Sequence, residues 1–230
     1  MKRLRIMIDV TMCVFFIILM GHHITDNLIH EILGTGTIIL FIIHNILNFK
    51  FYKSLFKGKY SFKRVILTLI DLLLFLCMVG IIVSAVIISS DVFAFLNIHT
   101  TSFGLKLHML STSWGFVIMS LHLGLHLNGI VSKLEQKMKQ NGLEYIYYFI
   151  FLLLIIYGIY SFIKLNFISD MFLLNPFKAY NFDESPFVFY LHVLSSGLFI
   201  ALTIEKGTIL FSNEKKNKEE CKNGKTNSGT

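Results

Sequence analysis

A chain of 230 residues with 54% hydrophobic content, a mean hydropathy of +0.67 and two prolines carries more apolar surface than a soluble domain of that length can bury, which excludes an ordinary soluble enzyme and marks an integral membrane protein. The net charge of +7 would suit a nucleic-acid binder, but the lysines and arginines are grouped between apolar runs, a pattern that reports membrane topology and argues against any nucleic-acid partner. Three scattered cysteines, Cys13, Cys77 and Cys221, form no disulfide framework, no CxxC pair and no c-type haem attachment motif.

A helix needs about 20 mostly apolar residues to cross the hydrocarbon core of a bilayer. Six runs meet that length, at about 6–21, 28–48, 65–89, 104–130, 145–165 and 187–211, and they predict an all-α integral membrane protein with six transmembrane helices. Of the 21 basic residues, all but Lys106, Lys164 and Lys178 fall on one side of this arrangement. The positive-inside rule then places both termini in the cytoplasm and the chain in the cytoplasmic membrane as a multi-pass protein.

The first span follows Met1-Lys-Arg-Leu-Arg, and with no small-x-small cleavage site near Gly21 it reads as an uncleaved span. It holds Asp9 one turn after Arg5, the spacing of an i,i+4 ion pair, with proton uptake as the functional alternative. The outer segment from Gly21 to Glu31 concentrates His22, His23, Asp26 and His30. Asp26 suits the N-cap of the second span, while His22, Asp26 and His30 would share one helical face open to a divalent cation.

The second span carries His30 and His44 with Gly34 and Gly36 between them. Glycines there let a flat macrocycle approach the backbone, and they equally serve plain helix packing. The basic, aromatic loop from Lys50 to Arg64 belongs at the lipid headgroups. In the third span Asp71 is an intramembrane carboxylate in the cytoplasmic half, a functional candidate by default. The fourth span contains His108, Trp114, Gly115, His122, Gly124 and His126, and a charged, helix-prone link, Val131 to Glu144, follows it. Nothing in the fifth span suggests chemistry. An outer loop, Asn166 to Pro186, leads to the sixth span, with His192 near its outer end, and the polar tail from Ser212 to Thr230 has the composition of a disordered segment.

The histidines of the second and fourth spans share one spacing. His30 and His44 are fourteen residues apart, as are His108 and His122. Fourteen helical residues rise about 21 Å and turn almost four times, so each pair looks out from nearly one face at two depths. With one span between them the two helices run in the same direction, which sets His30 level with His108 and His44 level with His122. A lone membrane histidine is more often an interhelical hydrogen-bond partner than a ligand. Four in register on two parallel spans point instead to two bis-histidine haem b sites, with the haem irons held by His30 and His108 and by His44 and His122. Such ligation saturates the iron, so the haems carry electrons and no residue is assigned a catalytic role. His126 competes with His122 as a ligand but breaks the equal spacing, and its functional readings are a propionate contact or part of a quinone or proton site; Asp71 and His192 are further accessory candidates, His192 near the outer haem with no role assigned, and His99 stays unassigned as well.

The strings His30-Glu31-Ile32-Leu33-Gly34, His44-Asn45-Ile46-Leu47-Asn48, Leu55-Phe56-Lys57-Gly58-Lys59-Tyr60, Phe93-Ala94-Phe95-Leu96 and Trp114 to His126 resemble the flavinylation-associated cytochrome family of small bacterial membrane proteins. The resemblance covers roughly residues 1–130 and departs from the family at Ile32 and Phe51, where tryptophan is usual. It implies a haem-binding four-helix bundle of b-type cytochrome character over 1–130, with His30, His44, His108 and His122 at the family's histidines, which exchanges electrons with an extracytosolic flavoprotein carrying covalent FMN. Residues 131–211 then add two spans and an outer loop, and 212–230 form the cytoplasmic tail.

Together these readings describe a transmembrane electron carrier, part of an oxidoreductase system and not a stand-alone enzyme, that takes electrons from a membrane or cytoplasmic reductant such as a quinol. No Gly-rich dinucleotide fingerprint is present for direct use of NAD(P)H. The competing readings are a metal-ion transporter, which would group its ligands at one depth, and a non-haem membrane scaffold or sensor.

Overall fold

The structure, a computed structural model, describes residues 2–58, 61–175 and 183–226. The described residues are helical throughout, with no strand: α1 Lys2–Leu19, α2 Asn27–Leu47, the short α3 Phe49–Ser54, α4 Phe62–Ile88, a single 3-10 turn Ala94–Leu96, α5 Ser102–Gln140, α6 Glu144–Lys164, the short α7 Phe167–Met171 and α8 Pro186–Thr226. Four of these are long and apolar enough to cross a membrane, over Asn27–Leu47, Arg64–Ile88, Glu144–Lys164 and Pro186–Thr208. The bent helix α5 makes a fifth if Ser102–Leu127 and Gly129–Gln140 act as one span. The chain is therefore a multi-pass helical membrane protein.

Three elements differ from the sequence expectation. The α1 helix has 18 residues, about 27 Å of rise, but Lys2, Arg3, Arg5 and Asp9 leave it too charged to qualify as a span by composition. The fourth span does not end at Ile130: α5 continues through the charged link to Gln140, bending by 54° between Leu127 and Gly129, where glycine weakens the helical ladder. Helix α8 likewise runs on to Thr226, through the part of the tail expected to be disordered; adding Lys- and Glu-rich residues to an existing helix needs no new nucleation. Residues 227–230 of that tail, and 176–182 of the outer loop, lie outside the described residues.

The helix α5 is the axis of the fold. It packs against α4 on one side and α8 on another, α8 packs in turn on α6, and α1 lies along α2. The buried cluster of Phe16, Met78, Phe116, Phe167, Phe189 and Val193 draws on α1, α4, α5, α7 and α8, so the C-terminal helix shares a core with the N-terminal ones. Helix α8 reaches α1 directly: Tyr190 donates from its hydroxyl to the Ile18 carbonyl at 3.0 Å.

Small residues set the close contacts. A Cβ on Gly124 would meet the Ala201 carbonyl oxygen at 2.3 Å, and one on Gly158 would meet the Ser195 carbonyl oxygen at 2.7 Å, so only glycine lets α5 and α6 approach α8 this closely. The start of the outer loop folds back as α7. Phe167, 1% exposed, stacks on Phe116 with ring centroids 4.7 Å apart, and the Trp114 indole donates to the Met171 carbonyl at 2.9 Å.

Candidate functional site

The N-terminal ends of α2 and α5 bring His30 and His108 together, with ring centroids 6.4 Å apart and planes at 66°. Their alignment depends on a residue that sequence reasoning passed over. The carboxylate of Glu31 accepts backbone N–H bonds from Ser90 at 2.8 Å, Asp91 at 3.1 Å and Val92 at 2.7 Å, and also receives the Ser89 hydroxyl. One side chain thus ties the second turn of α2 to the segment that leaves α4, and fixes the height of its neighbour His30. The signal available in the sequence was an acidic residue near a helix start, directly beside the histidine. Asp26 does occupy the N-cap of α2 in an extended conformation, but its side chain makes no capping bond.

His108 meets Ser84 of α4, Nδ1 to Oγ at 3.0 Å. Because Ser84 donates its own proton to the Ile81 carbonyl, its oxygen is left to accept from the Nδ1–H of His108. The Nδ1 of His30 is buried without a hydrogen-bond partner, and the His22 ring packs edge-on against it, centroids 4.7 Å apart.

The other two histidines, His44 and His122, are each held by a carboxylate. His44 Nδ1 lies 2.6 Å from Asp9 of α1, and His122 Nδ1 lies 2.7 Å from Asp71 of α4. Asp9 was expected to pair with Arg5 on its own helix. It pairs with His44 instead because α1 and α2 form an antiparallel hairpin that sets those two residues at one level. The His126 ring packs 4.6 Å from that of His122, and the charges of both Asp71 and Asp9 act on it, so these side chains make one cluster. Beside it a cavity of about 230 Å3 opens between α3, α4 and α5, lined by Arg64, Thr68, Asp71, His126, Phe51 and Leu55. Tyr52 of α3 caps this end by bonding Asn45, and burial, followed by the charge of Asp71, pushes its phenol above the ordinary value.

An ionised carboxylate only accepts, so Asp9 and Asp71 assign the ring proton of His44 and His122 to Nδ1, as Ser84 does for His108. Nε2 is then the unprotonated nitrogen, the tautomer that binds metal, and in His44 the Asn48 amide stands 3.4 Å from it. The spacing agrees: about 2 Å from ion to imidazole nitrogen and roughly 1 Å more to the ring centre put two axial imidazoles about 6 Å apart, against the 6.4 Å of His30 and His108. A Cβ on Gly34, one turn from His30, would meet nothing within 4 Å, so no side chain fills the space beside that position. The residues present fit axial haem ligation at the outer pair and supply the matching tautomer at the inner one.

His192 does not join either pair. It is 3% exposed between α6 and α8, with Nδ1 2.8 Å from the Ser161 hydroxyl and Nε2 3.0 Å from the Lys164 ammonium, and it stacks on Tyr157 at 5.4 Å. Lys164 also pairs with Glu184. This makes a second polar cluster in the fifth span, where the sequence offered no chemistry. His99 is exposed in the outer segment. Among the described residues no three His, Cys, Asp or Glu side chains are grouped to hold a bare metal ion, the face of His22, Asp26 and His30 included. Comparison with protein families, characterised proteins and solved structures finds no match for this chain.

Proposed function

We propose that the protein is a transmembrane electron carrier with two b haems, in which His30 and His108 hold one haem near the outer face and His44 and His122 hold the other near the cytoplasmic face. The observation that carries this reading is the outer pair, two histidines from different helices at the separation of two axial ligands. The Nδ1 bonds to Ser84, Asp9 and Asp71 support it, because each puts the ring proton on Nδ1 and leaves Nε2 as the nitrogen that would hold iron, with the Asn48 amide 3.4 Å from the Nε2 of His44 as the group to be displaced. In this reading α1 crosses with the other five, both termini are cytoplasmic, and α1, α2, α4 and α5 make the haem bundle.

Bound haem supplies one-electron exchange at the iron, and ligation from both sides keeps substrate off it. The chain contributes the rest. Its histidines fix two depths, its apolar spans exclude water, and the cavity beside Asp71 and His126 opens at the cytoplasmic end, where a quinol headgroup would reach the inner pair. The electron acceptor on the outer face is an extracytosolic flavoprotein carrying FMN. The partner rests on the sequence resemblance over residues 1–130.

The test is a reduced-minus-oxidised spectrum with a pyridine haemochrome assay on detergent-purified protein from haem-competent cells. About two low-spin b haems per chain are expected. A folded preparation without haem overturns the proposal and turns attention to metal transport.

A further inference from the structure

The two histidine pairs are backed by different chemistry. At the inner end each ring N–H faces a carboxylate, Asp9 at 2.6 Å and Asp71 at 2.7 Å. At the outer end one ring meets the neutral hydroxyl of Ser84 and the Nδ1 of the other has no partner. We infer that Asp9 and Asp71 are positioning residues that make the inner haem the lower-potential member of the pair, so that an electron arriving from the cytoplasmic side runs outward downhill. The inference rests on the haem reading above.

Two effects act in the same direction. A carboxylate accepting the Nδ1–H bond makes the imidazole more basic, so it donates more charge to the iron and favours the oxidised state. A fixed negative charge close to the iron also opposes the arrival of an electron, and in a membrane interior that repulsion is weakly screened. Two further charges stand nearby, one at each level. Arg64 lines the inner cavity beside Asp71 and donates to the Ser54 carbonyl, and its positive charge works against that of Asp71. Glu31 puts an acidic charge on His30 at the outer level, but its oxygens face the backbone N–H groups of Ser90, Asp91 and Val92, so the carboxylate bond to a ring nitrogen is what sets the inner pair apart.

The experiment is an optical redox titration of the purified, haem-loaded full chain. The wild type should show two midpoint potentials. Asp71→Asn keeps the shape and an acceptor oxygen while removing the charge, and should raise the lower midpoint and leave the upper one in place, with two haems retained. A tenfold change in how the two haems share one electron corresponds to about 59 mV. Asp9→Asn should act on the same wave, and Ser84→Asp should lower the other. An Asn variant that keeps both haems and both midpoints, or that moves the upper one, overturns the inference. Where the Asn variants lose the inner haem, the single-haem variants decide: the haem left in His108→Ala must titrate below the one left in His44→Ala, and the reverse order overturns the assignment. Absence of haem from the wild type sinks the haem reading itself, a result distinct from any of these.

Discussion

The two flanks of α5 are built on different principles. Toward α8 the fit is tight: Gly124 sits against the Ala201 carbonyl, and Phe116 and Val193 are each 1% exposed. Toward α2 it is open, with 6% of the α2 span buried against 33% of the α8 span, Gly34 facing empty space and histidine rings making the approach. Lipid tails are as apolar as leucine, so membrane helices associate through close packing of small residues and through polar contacts. The α8 flank uses the first means. The α2 flank has only the second, and that is where an inserted group would complete the bundle.

Substitutions that exchange the character of the two flanks test this contrast. The largest effect on function is expected from His108→Ala, which should remove one of two haems and leave the helical far-UV signal unchanged; retention of both would end the pairing of His30 with His108. The largest effect on stability is expected from Gly124→Leu or Gly158→Leu. Each drives a side chain into backbone, and overpacking of this kind costs about 1–3 kcal/mol or more, read as a lower midpoint in detergent denaturation. Gly34→Leu should leave that midpoint nearly unchanged, because a Cβ there meets nothing within 4 Å, and in the haem reading it should reduce haem content, since Gly34 lies one turn from His30.

A smaller effect separates the two acidic residues at the start of α2. Glu31→Ala frees three backbone N–H groups and should cost about 1–3 kcal/mol, seen as faster hydrogen exchange across residues 90–92 and weaker retention of the outer haem. Asp26→Ala removes a side chain that makes no capping bond, and its effect should stay within about 0.5 kcal/mol. Equal losses from the two variants would show that Glu31 does not set the height of His30.

Spacing along a helix was legible in the sequence, whereas partners across helices were not. The spacing of His30 and His44, matched by His108 and His122, follows from the rise and turn of a helix, which any fourteen-residue interval carries with it. Asp71 drew notice for its place in an apolar span, but its bond to His122 spans 51 positions and depends on how α4 is rotated against α5. Asp9 looked satisfied by Arg5 one turn away until the α1–α2 hairpin offered His44. Glu31 stood in the right place, and only the return of the chain at Ser90 to Val92 gave its oxygens their donors.

The sequence by itself determined a multi-pass helical membrane protein and two histidine pairs at two levels. These are local quantities, set by apolar run length and by the 3.6-residue turn. Only the tertiary structure decided that α8 seals one flank of α5 through glycine contacts, that His192 belongs to a separate cluster with Ser161 and Lys164, and that carboxylates back His44 and His122 while a hydroxyl backs His108. Those outcomes turn on helix rotation and interhelical contact between residues far apart in the chain, and helical periodicity carries no information about which neighbour a given face will meet.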